Sequence, residues 1–290
     1  MRNSTMLETK ASLGSVSSDL PVVVLKPSRG WSALNLKDLW RYRELIYFLV
    51  WRDIKVRYKQ AVLGIGWAIL QPVVTMIIFT VIFGNLAGLS SDGKPYPLFS
   101  VSAIIPWTLF AGGLSRASMS LVGNSNLLTK VYFPRLVIPL SAVVAGLVDF
   151  GISFLVMLVM MFYYGYPITW NFFWLIPLTL LTITAALAVG LWLAALNVQY
   201  RDVSHMIPFL MTVWQYASPV VYSTRTIPEK WRLIYGLNPM VGVIQGFRWV
   251  ILGGTPPDQL IFVSIAVVLA LLVGGLYYFR RMEKTFADMV

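Results

Sequence analysis

Asp149 is the one carboxylate lodged deep in a long apolar run, where an unpaired charge is costly. An acid in that setting either relays protons or holds a structural hydrogen bond. A relay needs a second buried acid or a nearby histidine. No second acid is present, and the single histidine, His205, lies at the edge of a different run. The expected role of Asp149 is therefore a structural bond, inside the helix bundle or at a contact between subunits, with a transport role as the alternative. The chain has no cysteine, which removes disulfides, thiolate metal sites and cysteine nucleophiles. One histidine is equally incompatible with a histidine-rich metal centre. No G-x-x-x-x-G-K-[ST] run exists to wrap ATP phosphates in backbone N–H groups. Gly64-Ile65-Gly66 does not extend into a dinucleotide fingerprint, because Ile69 occupies the third glycine position. The clustered acids or histidines of a membrane-embedded transferase are missing too. No catalytic residue, cofactor or metal site is expected on this chain.

The elements around these residues belong to a bilayer. The sequence is 58% hydrophobic and 12% charged, against roughly 25% charged residues in ordinary globular domains. Its net charge of +11 does not indicate nucleic acid, since the basic residues flank apolar runs instead of lining one face. A membrane crossing takes about 20 mainly apolar helical residues. Six stretches qualify: residues 65–86, 98–122, 136–163, 172–196, 206–222 and 260–279. Pro106 and the Gly112-Gly113 pair interrupt the second and the fifth is short, so kinks or partial re-entry are expected in both. The internal repeats and multiple buried polar groups of a secondary carrier are absent. The fold class expected is an all-α polytopic membrane protein with six transmembrane helices.

Lysine and arginine set the orientation. With the amino terminus inside, only Lys94, Arg225, Lys230, Arg232 and Arg248 of the 23 basic residues fall in outer segments. Both termini are expected in the cytoplasm. Residues 1–34 are rich in Ser, Pro and small residues and lack a signal-peptide core, which suggests a mobile cytoplasmic extension. Residues 35–62 carry Lys37, Arg41, Glu44, Arg52, Lys55 and Lys59 three or four apart with an apolar set on another face, and Arg52, Lys55, Arg57, Tyr58 and Lys59 are the candidate interfacial residues. That pattern predicts an amphipathic helix lying in the inner headgroup plane, ahead of a transmembrane domain at 63–290. Outside, residues 240–252 stand between Asn238-Pro239 and Gly253-Gly254, start and stop signals for a helix too short to cross. It is expected to be interfacial or re-entrant.

Several of these segments match one family. Trp51-Arg52-Asp53-Ile54-Lys55-Val56-Arg57-Tyr58-Lys59, then Leu63-Gly64-Ile65-Gly66-Trp67-Ala68 and Gln71-Pro72, resemble the permease subunits of ATP-binding-cassette exporters for polysaccharides, O-antigen and teichoic acids. Lys130-Val131-Tyr132-Phe133-Pro134, Asn197-Val198-Gln199-Tyr200-Arg201-Asp202-Val203 and Asn238-Pro239 agree in order and placement, over roughly residues 36–285. The resemblance implies six spans in the bacterial cytoplasmic (inner) membrane and a homodimer around a channel. It also implies two ATPase subunits per complex, which would hold the ATP and Mg that this chain cannot, and a lipid-linked polysaccharide as cargo. A drug or small-lipid exporter of similar architecture is the alternative.

The resemblance also assigns roles to residues. It makes the first inner loop, with Asn124, Leu127, Leu128, Lys130, Tyr132 and Phe133, the helix that couples to the ATPase. Arg201 and Asp202 either contact that ATPase or stabilise adjacent helix ends. Ala186, Gly190 and Ala194, spaced by four, read as a packing surface. Trp170, Trp174, Tyr277 and Tyr278 suit an interfacial aromatic belt. Trp107, Phe110, Trp214 and Tyr216 lie in the proline-interrupted spans, where a passing sugar ring could stack on them as channel lining; bundle packing is the other reading.

Overall fold

The computed structural model describes residues 36–59, 64, 66–254, 256–257, 259–283 and 286. The expected extension at 1–34 lies outside them. Every regular element among the described residues is helical. Two helices, α1 (Leu36–Arg41) and α2 (Arg43–Lys59), meet at Tyr42 and precede α3 (Gly66–Phe79), which continues as a π-helical stretch, Thr80–Leu86. Then come α4 (Tyr96–Gly123), the short α5 (Ser125–Lys130), α6 (Val137–Val144) and α7 (Gly146–Tyr163). A 3₁₀ turn, Trp170–Trp174, leads into α8 (Leu175–Gln199); α9 (Asp202–Ala217), α10 (Glu229–Gly236), α11 (Pro239–Leu252) and α12 (Leu260–Met282) follow.

Among the described residues, five helical stretches are long and apolar enough to cross a membrane: Gly66–Leu86, Tyr96–Gly123, Val137–Tyr163, Trp170–Gln199 and Leu260–Met282. The chain is a polytopic, all-α membrane protein. The sixth expected stretch, 206–222, is helical only to Ala217, within the 16-residue α9. At 1.5 Å per residue α9 is about 24 Å long, less than the hydrocarbon thickness of about 30 Å.

α4 is the centre of the bundle. Of its most apolar stretch 78% is buried, against 17% for the α3 stretch. Pro106 and Gly112-Gly113 do not interrupt it, contrary to expectation; the helix is continuous for 28 residues. Neighbours pack around most of it. α8 packs most extensively against it, with α6, α7, α11 and α3 around the rest. Small residues set the α4–α8 spacing: a Cβ on Gly190 would sit 2.7 Å from the Ala117 Cβ, and one on Gly113 would sit 3.2 Å from the Ala186 Cβ. Ala186, Gly190 and Ala194 are all buried, as their spacing suggested.

The third span does break, at Ala145. There the Arg116 Nε donates to the Ala142 carbonyl at 3.1 Å, and a Cβ on Gly146 would overlap the Arg116 guanidinium. A side chain inserted into the carbonyl ladder is a recognised cause of such breaks.

Candidate functional site

α4 fixes the two ends of the bundle. At its start the Tyr96 hydroxyl donates to the Val221 carbonyl at 2.6 Å; at its finish Gly123 runs through Asn124 into α5. Leu128 and Phe133, each 6% exposed, are apolar pegs in a cluster that also takes Leu49 of α2, Leu121 of α4, Val198 of α8 and Phe279 of α12. Leu127 is half-buried beside them. Lys130, Val131 and Tyr132 project outward, Tyr132 at 77% exposure. The result is a short helix anchored on one side and offering a basic and aromatic turn on the other, a form suited to docking.

Two sets of bonds hold this turn. Asn124 donates its Nδ2 to the Ser120 carbonyl (2.8 Å) and accepts from the Arg52 guanidinium (2.9 Å), which also grips Asp53 (2.8 Å). On the far side the Arg135 amide donates to Glu283 Oε1 (3.2 Å) and its guanidinium to the Glu283 carbonyl, while Arg280 pairs with the same carboxylate (2.7 Å). Arg201 and Asp202, at the α8–α9 junction, are exposed and make no ion pair among the described residues. Asp202 opens α9, where a carboxylate meets the positive end of the helix dipole.

Asp149, in the first turn of α7, is a convergence point. Arg57 forms an ion pair with its carboxylate, the Tyr58 hydroxyl donates to its other oxygen, and Arg116 Nη1 lies 3.7 Å away. The structural expectation for this acid accords with those contacts. Burial, together with the adjacent Asp149 carboxylate, pushes the Tyr58 phenol up to about 12. Arg52, Arg57 and Tyr58 thus each make bonds within the protein while staying partly exposed. The outward face of α2 mixes Tyr47, Phe48 and Trp51 with Lys55 and Lys59. Sequence reasoning gave no role to Arg116, Arg135 or Glu283. Their common signal, a charge at the edge of an apolar run, does not name a partner.

The four aromatic candidates separate. Trp107 (4% exposed) and Phe110 (0%) are sealed in the core, with Phe110 edge-on to Trp214 at 5.2 Å. As placed, neither presents a face to a passing ring, which corrects the channel-lining expectation for these two. Trp214 is half-buried and donates its indole N–H to Asn238 Oδ1 at 3.0 Å; Tyr216 is 54% exposed. Asn238 caps α11 through Met240 N, and Gly253 (φ +70°) ends it, as the flanking signals predicted. Beside Trp214 opens a cleft of about 670 Å³ that Tyr222, Trp231 and Tyr235 also line. Burial and the hydrogen bond to Tyr222 hold the Tyr235 phenol well above its ordinary range.

Apolar helices are wound about a buried α4, with an anchored, outward-facing turn at one end and an aromatic cleft at the other, the build of a membrane-spanning protein. The chain belongs to the ABC-2 type transporter family, which it matches over residues 44–252. It is similar to the O-antigen export system permease protein RfbA of Myxococcus xanthus, 31% identical over 260 residues, or 88% of this chain and 98% of that protein. A Klebsiella pneumoniae protein of the same name is 28% identical over 85% of this chain and 95% of its own length. The polysialic acid transport protein KpsM of Escherichia coli is 24% identical over 80% and 91%.

Proposed function

We propose that this chain is the channel-forming subunit of an exporter that moves a lipid-linked polysaccharide of the O-antigen class across the bacterial inner membrane, driven by a separate ATPase. The observation that carries the reading is agreement with O-antigen export permeases over almost their whole length. The anchored α5 turn gives the ATPase a place to push. In this reading the subunit works as a homodimer with two ATPase chains, which hold the ATP and Mg. Both termini lie in the cytoplasm, with α5, Arg201 and Asp202 on that side and α10 and α11 outside. The outward face of α2, with Lys55 and Lys59 among aromatic residues, lies along anionic headgroups.

The test is reconstitution with the cognate ATPase. The lone chain should hydrolyse no ATP, and the complex should both hydrolyse ATP and display polymer at the cell surface. Lys130→Glu with Tyr132→Ala should cut export at least tenfold while leaving membrane insertion and thermal melting unchanged, because both side chains are exposed. Normal export by that double variant would remove α5 from the coupling path.

A further inference from the structure

The end of the bundle away from α5 holds a second, smaller cavity, distinct from the aromatic cleft. It measures about 170 Å³ and lies between the loop joining the α3 stretch to α4, the turn at Ser223–Arg225 and the last turns of α11. Its described lining carries three cations, Lys94, Arg225 and Arg248, against one carboxylate, Asp92.

Packing alone accounts poorly for this arrangement. Arg248 is only 9% exposed, yet no carboxylate forms an ion pair with it among the described residues. It rests on the Phe99 ring, 3.6 Å from the centroid, and donates to the carbonyls of Tyr222 and Val220 at 3.0 Å each. Its Nε is buried and unbonded. One turn earlier, Gln245 gives its Nε2 to Thr224 Oγ1 (2.7 Å), and its buried Oε1 has no partner. Two of the three unpartnered buried side-chain atoms among the described residues thus lie in the wall of one small cavity. Asp92 adds a third cost. It is the one described non-glycine residue in the left-handed region (φ +56°), and it holds its carboxylate on the Ser223 hydroxyl at 2.7 Å. Unsatisfied groups, a buried unpaired cation and a left-handed residue gathered at one place call for a common explanation, and a bound ligand supplies one.

The chemistry of the wall selects the ligand. An excess of two positive charges in the described lining calls for an anion. Lys94 and the exposed Arg225 are able to meet it directly, and Arg248 supplies a fixed field behind them. The Asp92 carboxylate beside them calls for a hydroxyl donor on the same molecule. The cavity takes one ring-sized group, not a chain.

We propose that this cavity binds a single acidic sugar unit, a pyranose bearing a carboxylate or a phosphate group. The choice of a sugar rests on the export reading, but the test needs no transport. Glucuronate, glucose 1-phosphate, glucose and inorganic phosphate would each be titrated against the full chain in lipid nanodiscs by saturation-transfer NMR. The two acidic sugars should compete for one site and bind at least tenfold more tightly than glucose or phosphate. Lys94→Gln with Arg225→Gln should weaken them at least tenfold without changing the melting temperature. Equal binding of glucose, phosphate binding as tight as glucose 1-phosphate, an unaffected double variant, or no saturable binding would each overturn the assignment. Export that continues without acidic-sugar binding fails this proposal alone; binding that survives when no polysaccharide is exported fails only the export reading.

Discussion

Removing the Asp149 side chain would leave Arg57 and Arg116 turned toward each other with no counter-charge. Breaking a fully buried pair costs about 3–5 kcal/mol. Here the side chains are a quarter to a third exposed, so we expect Asp149→Ala to cost about 2 kcal/mol, read by thermal unfolding in detergent. Asp149→Asn should cost less, because an amide oxygen still accepts from Tyr58. Tyr58 gives a pH signature. Its folded pKa is raised above the unfolded value of 10.0 to about 12. Its contribution is therefore complete below pH 10 and is lost as pH climbs toward 12. Tyr58→Phe should shrink the alkaline limb of the melting curve by Tyr58's share and leave the share of Tyr235, whose phenol is raised as well. The acid itself was conspicuous in the sequence as the one charge inside an apolar run. Its partners were not, since Arg57 and Tyr58 are 92 and 91 positions away, and a basic residue beside a span reads equally well as a lipid anchor.

At the scale of the helix, the α4–α8 contact depends on the absence of side chain. Gly190→Val should overpack the seam against Ala117 and cost about 1–3 kcal/mol. The same change at Gly123, which meets nothing within 4 Å, should have little steric effect. The difference in melting temperature between the two variants checks this. The four-residue spacing of Ala186, Gly190 and Ala194 announced such a seam, because small residues on one helical face have few other uses in a bilayer. The termini of α11 were equally legible from Asn238-Pro239 and Gly253-Gly254. Pro106 and Gly112-Gly113 suggested an interruption in α4, yet the helix runs on through them, packed around most of its circumference. The break at Ala145 had no sequence signal, since its cause, Arg116, comes from another helix.

For the molecule as a whole, the aromatic residues show where sequence stops. Trp107 and Tyr216 look alike in an apolar run, and only the packing divides them. Trp107→Ala should cost about 3–5 kcal/mol and lower export only as far as protein abundance falls. Tyr216→Ala should leave abundance and melting unchanged and still reduce export, measured as surface polymer per subunit. Equal melting losses at both positions would return Tyr216 to the core. The bundle also restricts where a polymer can pass. α4 fills the middle and meets protein around most of its circumference, while α3 leaves much of its surface uncovered, with Ile77, Ile78 and Val81 exposed. A subunit built around a solid axle has no bore. In the proposed homodimer it would supply one wall, and the conduit would form where the second copy closes against it.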